Sequence, residues 1–148
     1  MPTICAFLLF IFLLFSGSVY AGTQSDSVGI IKSVSGDVLI TGSQTTIKAV
    51  DNMRLIRGDS VQTGANGSAG LIFEDDTVVA LGPNSEMEIE NFLFDPVNSK
   101  LSFVAGLIHG TFSFITGQIA KLAPDNVTLQ TPDATLGVRG TKFLVKID

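Results

Sequence analysis

The stretch "AGLIFEDDTVVALG", residues 69–82, decides the fold. Its two apolar runs, AGLIF (69–73) and TVVALG (77–82), are too short for a helix of ordinary length, and Ile, Val, Phe and Thr sit well on a pleated surface. Between them "EDDT" (74–77) crowds three carboxylates and a threonine, side chains that hydrogen-bond their own backbone and favour a turn. The reading is strand, connector, strand. Both runs are apolar on each alternating face, which predicts strands covered on both sides, at the centre of the core.

Working outward, short apolar or alternating runs recur at 27–34, 37–41, 46–50, 53–56, 60–63, 87–92, 100–105, 110–115, 126–131 and 142–147, punctuated by Gly, Asn, Asp, Ser and Pro. Regular strand spacing with turn signals implies an all-β single domain, many short strands in a sandwich or a β-solenoid-like stack. In "EMEIE", Glu86, Glu88 and Glu90 share one face and Met87 and Ile89 the other, because strand side chains alternate. By the same rule Phe112 and Phe114 share a face, and Phe143, Val145 and Ile147 point inwards while Lys142 and Lys146 point out. "ANGS" (65–68) carries Asn-Gly, which predicts a type I′ hairpin turn. The uncharged run 101–120 invites a membrane helix, but its Ser, Thr, Gln and His and its three glycines disfavour one, and two strands around Gly106 fit better.

The chain has 148 residues, 14 acidic and 9 basic, for a formal charge of −5. It lacks the overall basic character that neutralises phosphates, so nucleic acid is a poor partner, and the same net charge argues against an anionic membrane surface. Residues 1–21 carry no charged side chain, and the apolar run Ile4 to Phe15 precedes "SGSVYA", with Val19 and Ala21 at the −3 and −1 positions of a signal cleavage site. That run has 12 residues, whereas a spanning helix needs about 20. We expect a signal peptide over 1–21, a periplasmic or secreted domain over 22–148, and no stable membrane span after cleavage. Cys5 lies inside the leader, so the mature chain has no thiol, hence no disulfide and no cysteine metal ligand.

The chemical candidates are weak. His109 shares a strand face with Thr111 and Ser113, and residues four apart along a strand lie roughly 13 Å apart, too far for a serine and its base. Glu74, Asp75 and Asp76 lack the shaped loop of six to eight oxygens that calcium takes. Successive glutamates of the ladder sit about 7 Å apart, a spacing compatible with glycosidic acid–base work but shared by any acidic strand. Gly137 and Gly140 enclose only "VR" and form no phosphate cradle. No catalytic residue, metal site or cofactor is expected.

Three segments together resemble the FecR domain family: "LIRGDSVQTGANGSAGLIFEDDTVVALGPNS" (55–85), "LSFVAGLIHG" (101–110) and "TPDATLGVRGTKFLV" (131–145). The resemblance rests on a G-D-x-V-x-T-G turn at Gly58, Asp59, Val61, Thr63 and Gly64. It continues in a strand–turn–strand motif at Leu71, Phe73, Asp75 and Thr77, preceded by Ala69 with slightly different spacing, and in a late motif at Thr131, Pro132, Ala134, Gly137, Val138, Arg139, Gly140, Thr141 and Phe143. Asp76 stands where the family frequently has glycine, which bears on turn geometry. The motif-bearing part spans about 44–145. FecR-type regulators also carry an anti-sigma segment and a membrane span, for which only the leader and this domain stand here.

The resemblance implies a non-enzymatic binding or signal-transfer module that contacts a protein or a cell-envelope polymer. A structural protein that self-associates through strand edges is the alternative, and a glycan-active enzyme using the acidic ladder a more distant one. The late motif reads as a structural corner. Pro132 ends a strand, Gly137 and Gly140 permit sharp turns, and Arg139 ties the corner to a carboxylate, with Asp59, Asp75 and Asp133 as candidates.

Overall fold

The computed structural model describes residues 26–148; the expected leader and its cleavage site lie outside them. In chain order the elements are β1 (Ser27–Ser35), β2 (Val38–Thr41), β3 (Thr46–Lys48), β4 (Arg54–Ile56), β5 (Ser60–Thr63), β6 (Ser68–Phe73), β7 (Val78–Leu81), β8 (Glu86–Asp95), β9 (Lys100–Ile115), a short helix α1 (Gln118–Leu122), β10 (Val127–Gln130), β11 (Thr135–Gly137) and β12 (Lys142–Ile147). The strands make one curled sheet, all-β and almost wholly antiparallel, the parallel β9–β10 pair being the exception.

Strand β9 lets one sheet form two layers. Residues 110–115 pair with β7 and β12 in a first layer ordered β4-β1-β6-β7-β9-β12. Residues 100–109 pair with β8, and 103–106 with β10, in a second layer ordered β3-β2-β5-β8-β9-β10-β11. Inward positions run Phe103, Ala105, Leu107 and then Phe112, Phe114, so the alternation slips by one residue between the layers. The slip falls at Ile108, the extra residue between Leu107 and His109 opposite β8, and the strand then bends at Gly110, whose φ of 110° lies in a region L side chains rarely adopt and where a Cβ would overlap Ser85. The two strands expected around Gly106 are therefore one strand with its bend four residues later.

The layers close over an aliphatic and phenylalanine core. Phe73 of the first layer packs on Phe92 and Phe103 of the second, with ring centroids 5.5 and 5.0 Å away, the latter pair edge-to-face. Leu71, Val79, Met87, Ile89, Leu107 and Phe112 are fully buried around them. The predicted alternation of β8 and β12 holds: Met87 and Ile89 are buried beneath the glutamates, and Lys142 and Lys146 are exposed.

Three expectations need correction. β6 and β7 are covered on one face only; Leu71, Phe73, Val79 and Leu81 are buried, while Gly70, Ile72, Val78 and Ala80 lie on the partly open outer side. "ANGS" is not a type I′ hairpin, because neither Asn66 nor Gly67 has positive φ and β5 and β6 do not pair. It carries the chain from one layer to the other, a job for which strand twist imposes no primed turn. Finally, the late motif is not all loop, since it contains β11, paired to β10 through Leu129↔Leu136.

Candidate functional site

The first motif builds a column of corners where the chain crosses between layers. Thr63, at the end of β5, is buried; its Oγ1 donates to the Gly82 carbonyl at 2.6 Å and accepts from the Ser85 amide at 2.9 Å. Gly64 donates to the Asp37 carbonyl and its own carbonyl accepts from Asn84 and Gly67. Ser85 in turn accepts from the Thr111 amide at 3.0 Å. The Thr63 and Ser85 hydroxyls thus lace three crossings, at 64–67, 82–85 and 110–111, and the Gly64 amide ties in the fourth at 36–37. Upstream, Gly58 has φ 88°, and Asp59, 6% exposed, accepts from the Ile56 amide at 2.9 Å, closing the turn into β5.

The second motif makes a buried hub. Asp75 is fully buried and accepts from the Thr77 amide (3.1 Å), the Thr77 hydroxyl (2.9 Å) and the Ile119 amide (3.2 Å), while its carbonyl accepts from Gln118. The turn is of the three-residue kind, with the Asp76 amide bonded to the Phe73 carbonyl and Asp76 at φ 70°, the conformation for which glycine is the usual residue. Gly117 presses on the same hub; a Cβ there would overlap the Asp75 carbonyl and the Thr77 amide. These donors leave Asp75 no vacant side for a ligand.

The late motif behaves differently. Thr131 closes a turn, its Oγ1 accepting from the Ala134 amide at 3.0 Å with exposed Pro132 between. Val138 is buried, the Gly140 and Thr141 carbonyls accept from Thr116, and Phe143 stacks on Phe114 at 5.1 Å. Gly140 has φ 103°, but nothing crowds Gly137. Arg139 is exposed, and among the described residues no carboxylate lies within ion-pair distance of it. The expected tie to Asp59, Asp75 or Asp133 does not form, because Asp59 and Asp75 are occupied by amides and hydroxyls and Asp133 is an exposed turn residue.

Arg139 instead borders two clefts where the layers part. One, about 420 Å³, is lined by Val127, Thr128, Leu136 and Val138; the other, about 280 Å³, by Leu129, Leu136, Phe143 and Val145. β11 pairs only with β10 and β12 only with β9, so both strands flanking the opening have a free edge.

The acidic ladder offers less. Glu86 accepts from Gln62 at 3.0 Å and lies 3.6 Å from His109, whose Nδ1 meets the Asn84 carbonyl at 2.7 Å; with that nitrogen donating, the ring's other nitrogen faces Glu86. His109 is no partner for Thr111 or Ser113, and no cluster of three metal-ligating side chains occurs among the described residues.

A family model, FecR protein, matches residues 59–148, from the buried Asp59 through the last strand. The chain belongs to the FecR family. Comparison with curated proteins and with solved structures returned no match. FecR domains are regulatory and signal-transducing modules, usually facing the periplasm. Among the described residues of this FecR domain, no helix is long and apolar enough to cross a membrane. Its most distinctive motif thus divides into a scaffold part (Thr131, Gly140, Thr141, Phe143) and one outward cation.

Proposed function

We propose that this FecR domain is an exported, non-enzymatic binding or signal-transfer module that grips a protein or envelope polymer at the opening between β11 and β12. The observation that carries this reading is Arg139, held outward by buried Val138 and by Gly140, beside one mixed and one largely apolar cleft and two free strand edges. A free edge pairs with an extended segment through main-chain hydrogen bonds, the clefts take alternate side chains, and a guanidinium fixes a carboxylate or phosphate by paired bonds.

A photo-crosslinking residue in place of Leu136, with the protein in its own envelope, tests this. A discrete adduct should form, and Arg139→Ala should remove most of it. An adduct that shifts on glycan digestion identifies a polymer; one that shifts on proteolysis, a protein. Adduct of twice the chain mass alone would support the self-associating alternative, and an undiminished adduct in Arg139→Ala would contradict the assignment of the arginine.

A further inference from the structure

The net charge of −5, which taken over the whole chain argues against an anionic membrane surface, is not spread evenly. No Asp or Glu lies on any strand of the first layer, whose charged residues are Lys32, Arg54, Lys142 and Lys146. The second layer carries Glu86, Glu88, Glu90 and Asp95 on β8, against Lys48 on β3 and Lys100 on β9. The acids nearest the first layer lie outside its strands: exposed Asp26 and Asp37 flank β1, Asp51 bonds the Val34 amide, Asp76 is engaged by Gln118, Asp148 beyond β12 faces Lys146, and Glu74 is exposed in the β6–β7 turn.

Between the cations the outer face is apolar. Cross-strand partners run Arg54, Ile30, Ile72, Val78, Ile115 and Lys142, a ridge of four β-branched side chains with a cation at each end. The next row, Ser33, Gly70, Ala80 and Ser113, is a shallow trough ending in Leu144. Ile30, Ile115 and Leu144 are 36%, 41% and 73% exposed. An antiparallel sheet with one wet face would place polar side chains there.

Three occupants can be weighed. A second copy meeting this face with the same face sets cation against cation at both ends of the ridge, whichever in-plane two-fold axis relates them. A second copy meeting it with its acidic layer buries the β8 glutamates on the apolar ridge, at a high desolvation cost. An anionic surface matches both features at once. The layer's phenylalanines, Phe73, Phe112, Phe114 and Phe143, all point inwards, and neither cleft beside Arg139 is lined by the ridge. The ridge therefore offers none of the aromatic anchors that protein hot spots favour and suits a laterally uniform partner.

We propose that the outer face of the first layer docks on an anionic lipid surface, the Ile30–Ile72–Val78–Ile115 ridge entering the headgroup boundary and Lys32, Arg54, Lys142 and Lys146 meeting lipid phosphates. Such docking leaves the acidic second layer turned away from the membrane. It stands independently of the role proposed for Arg139.

Flotation with vesicles of phosphatidylglycerol and phosphatidylcholine, against phosphatidylcholine alone, tests it on protein purified from the envelope with its amino terminus fixed by mass spectrometry. Binding should require the anionic lipid and fall with salt. Arg54→Ser and Lys142→Ser should each weaken it about fivefold, and the pair about 25-fold. Ile30→Ser with Ile115→Ser should also weaken it, with thermal unfolding confirming that the variant is folded, whereas Glu88→Gln on the opposite layer should not. Equal binding to neutral vesicles, indifference to the Arg54 and Lys142 changes, or no binding at low salt would overturn the proposal. So would a protein partner lost on those same changes from a chain that ignores vesicles.

Discussion

Thr63 and Arg139 belong to the same family pattern and do opposite things. Thr63 is buried with both hydroxyl functions used, so Thr63→Val keeps the shape and strands the Ser85 amide and Gly82 carbonyl. Leaving buried polar groups unpaired costs about 1–3 kcal/mol each, and urea unfolding should show a loss of that order with an unchanged m value. The sequence marks Thr63, Asp59 and Asp75 as important through the motif, yet their partners lie 19 to 44 positions away or in turns whose closure needs the fold. The partner expected of Arg139 fails for the same reason. A guanidinium beside glycines signals a bond but not to whom, and the carboxylates it suits were already committed to nearby amides.

At the scale of elements, what was legible followed from period and punctuation. β5 and β12 lie at the residues where alternation places them, and β6 and β7 within one residue of it. What escaped was the path between layers. Asn-Gly at 66–67 has hairpin chemistry, but β6 pairs with β7 and β1 and not with β5, and the local sequence at 66–67 does not encode that choice. β11, three residues inside a Gly- and Thr-rich motif, has too few apolar positions to announce a period. The bend in β9 was invisible because Gly106 and Gly110 look alike in sequence, and only Gly110 takes positive φ against Ser85. Gly110→Ala should therefore destabilise by several kcal/mol, combining backbone strain of about 1–3 kcal/mol with the overlap. Gly137→Ala, where nothing lies within 4 Å, should have little effect on the same denaturation curve.

As a whole, the molecule is a curled sheet polarised three ways: a basic and apolar outer face, an acidic outer face, and an open edge bearing Arg139. Its family is one of regulatory and signal-transducing domains. The division of the motifs into buried scaffold and outward contact is the claim on which the account turns. Thermal unfolding of Asp75→Ala and Arg139→Ala, run beside the parent chain, tests it most directly. Asp75→Ala strands three donors and should lower the midpoint by about 10 °C, taking about 2–4 °C per kcal/mol at this chain length. Arg139→Ala should unfold with the parent; a midpoint that falls as far as that of Asp75→Ala would return the arginine to the scaffold and contradict the account.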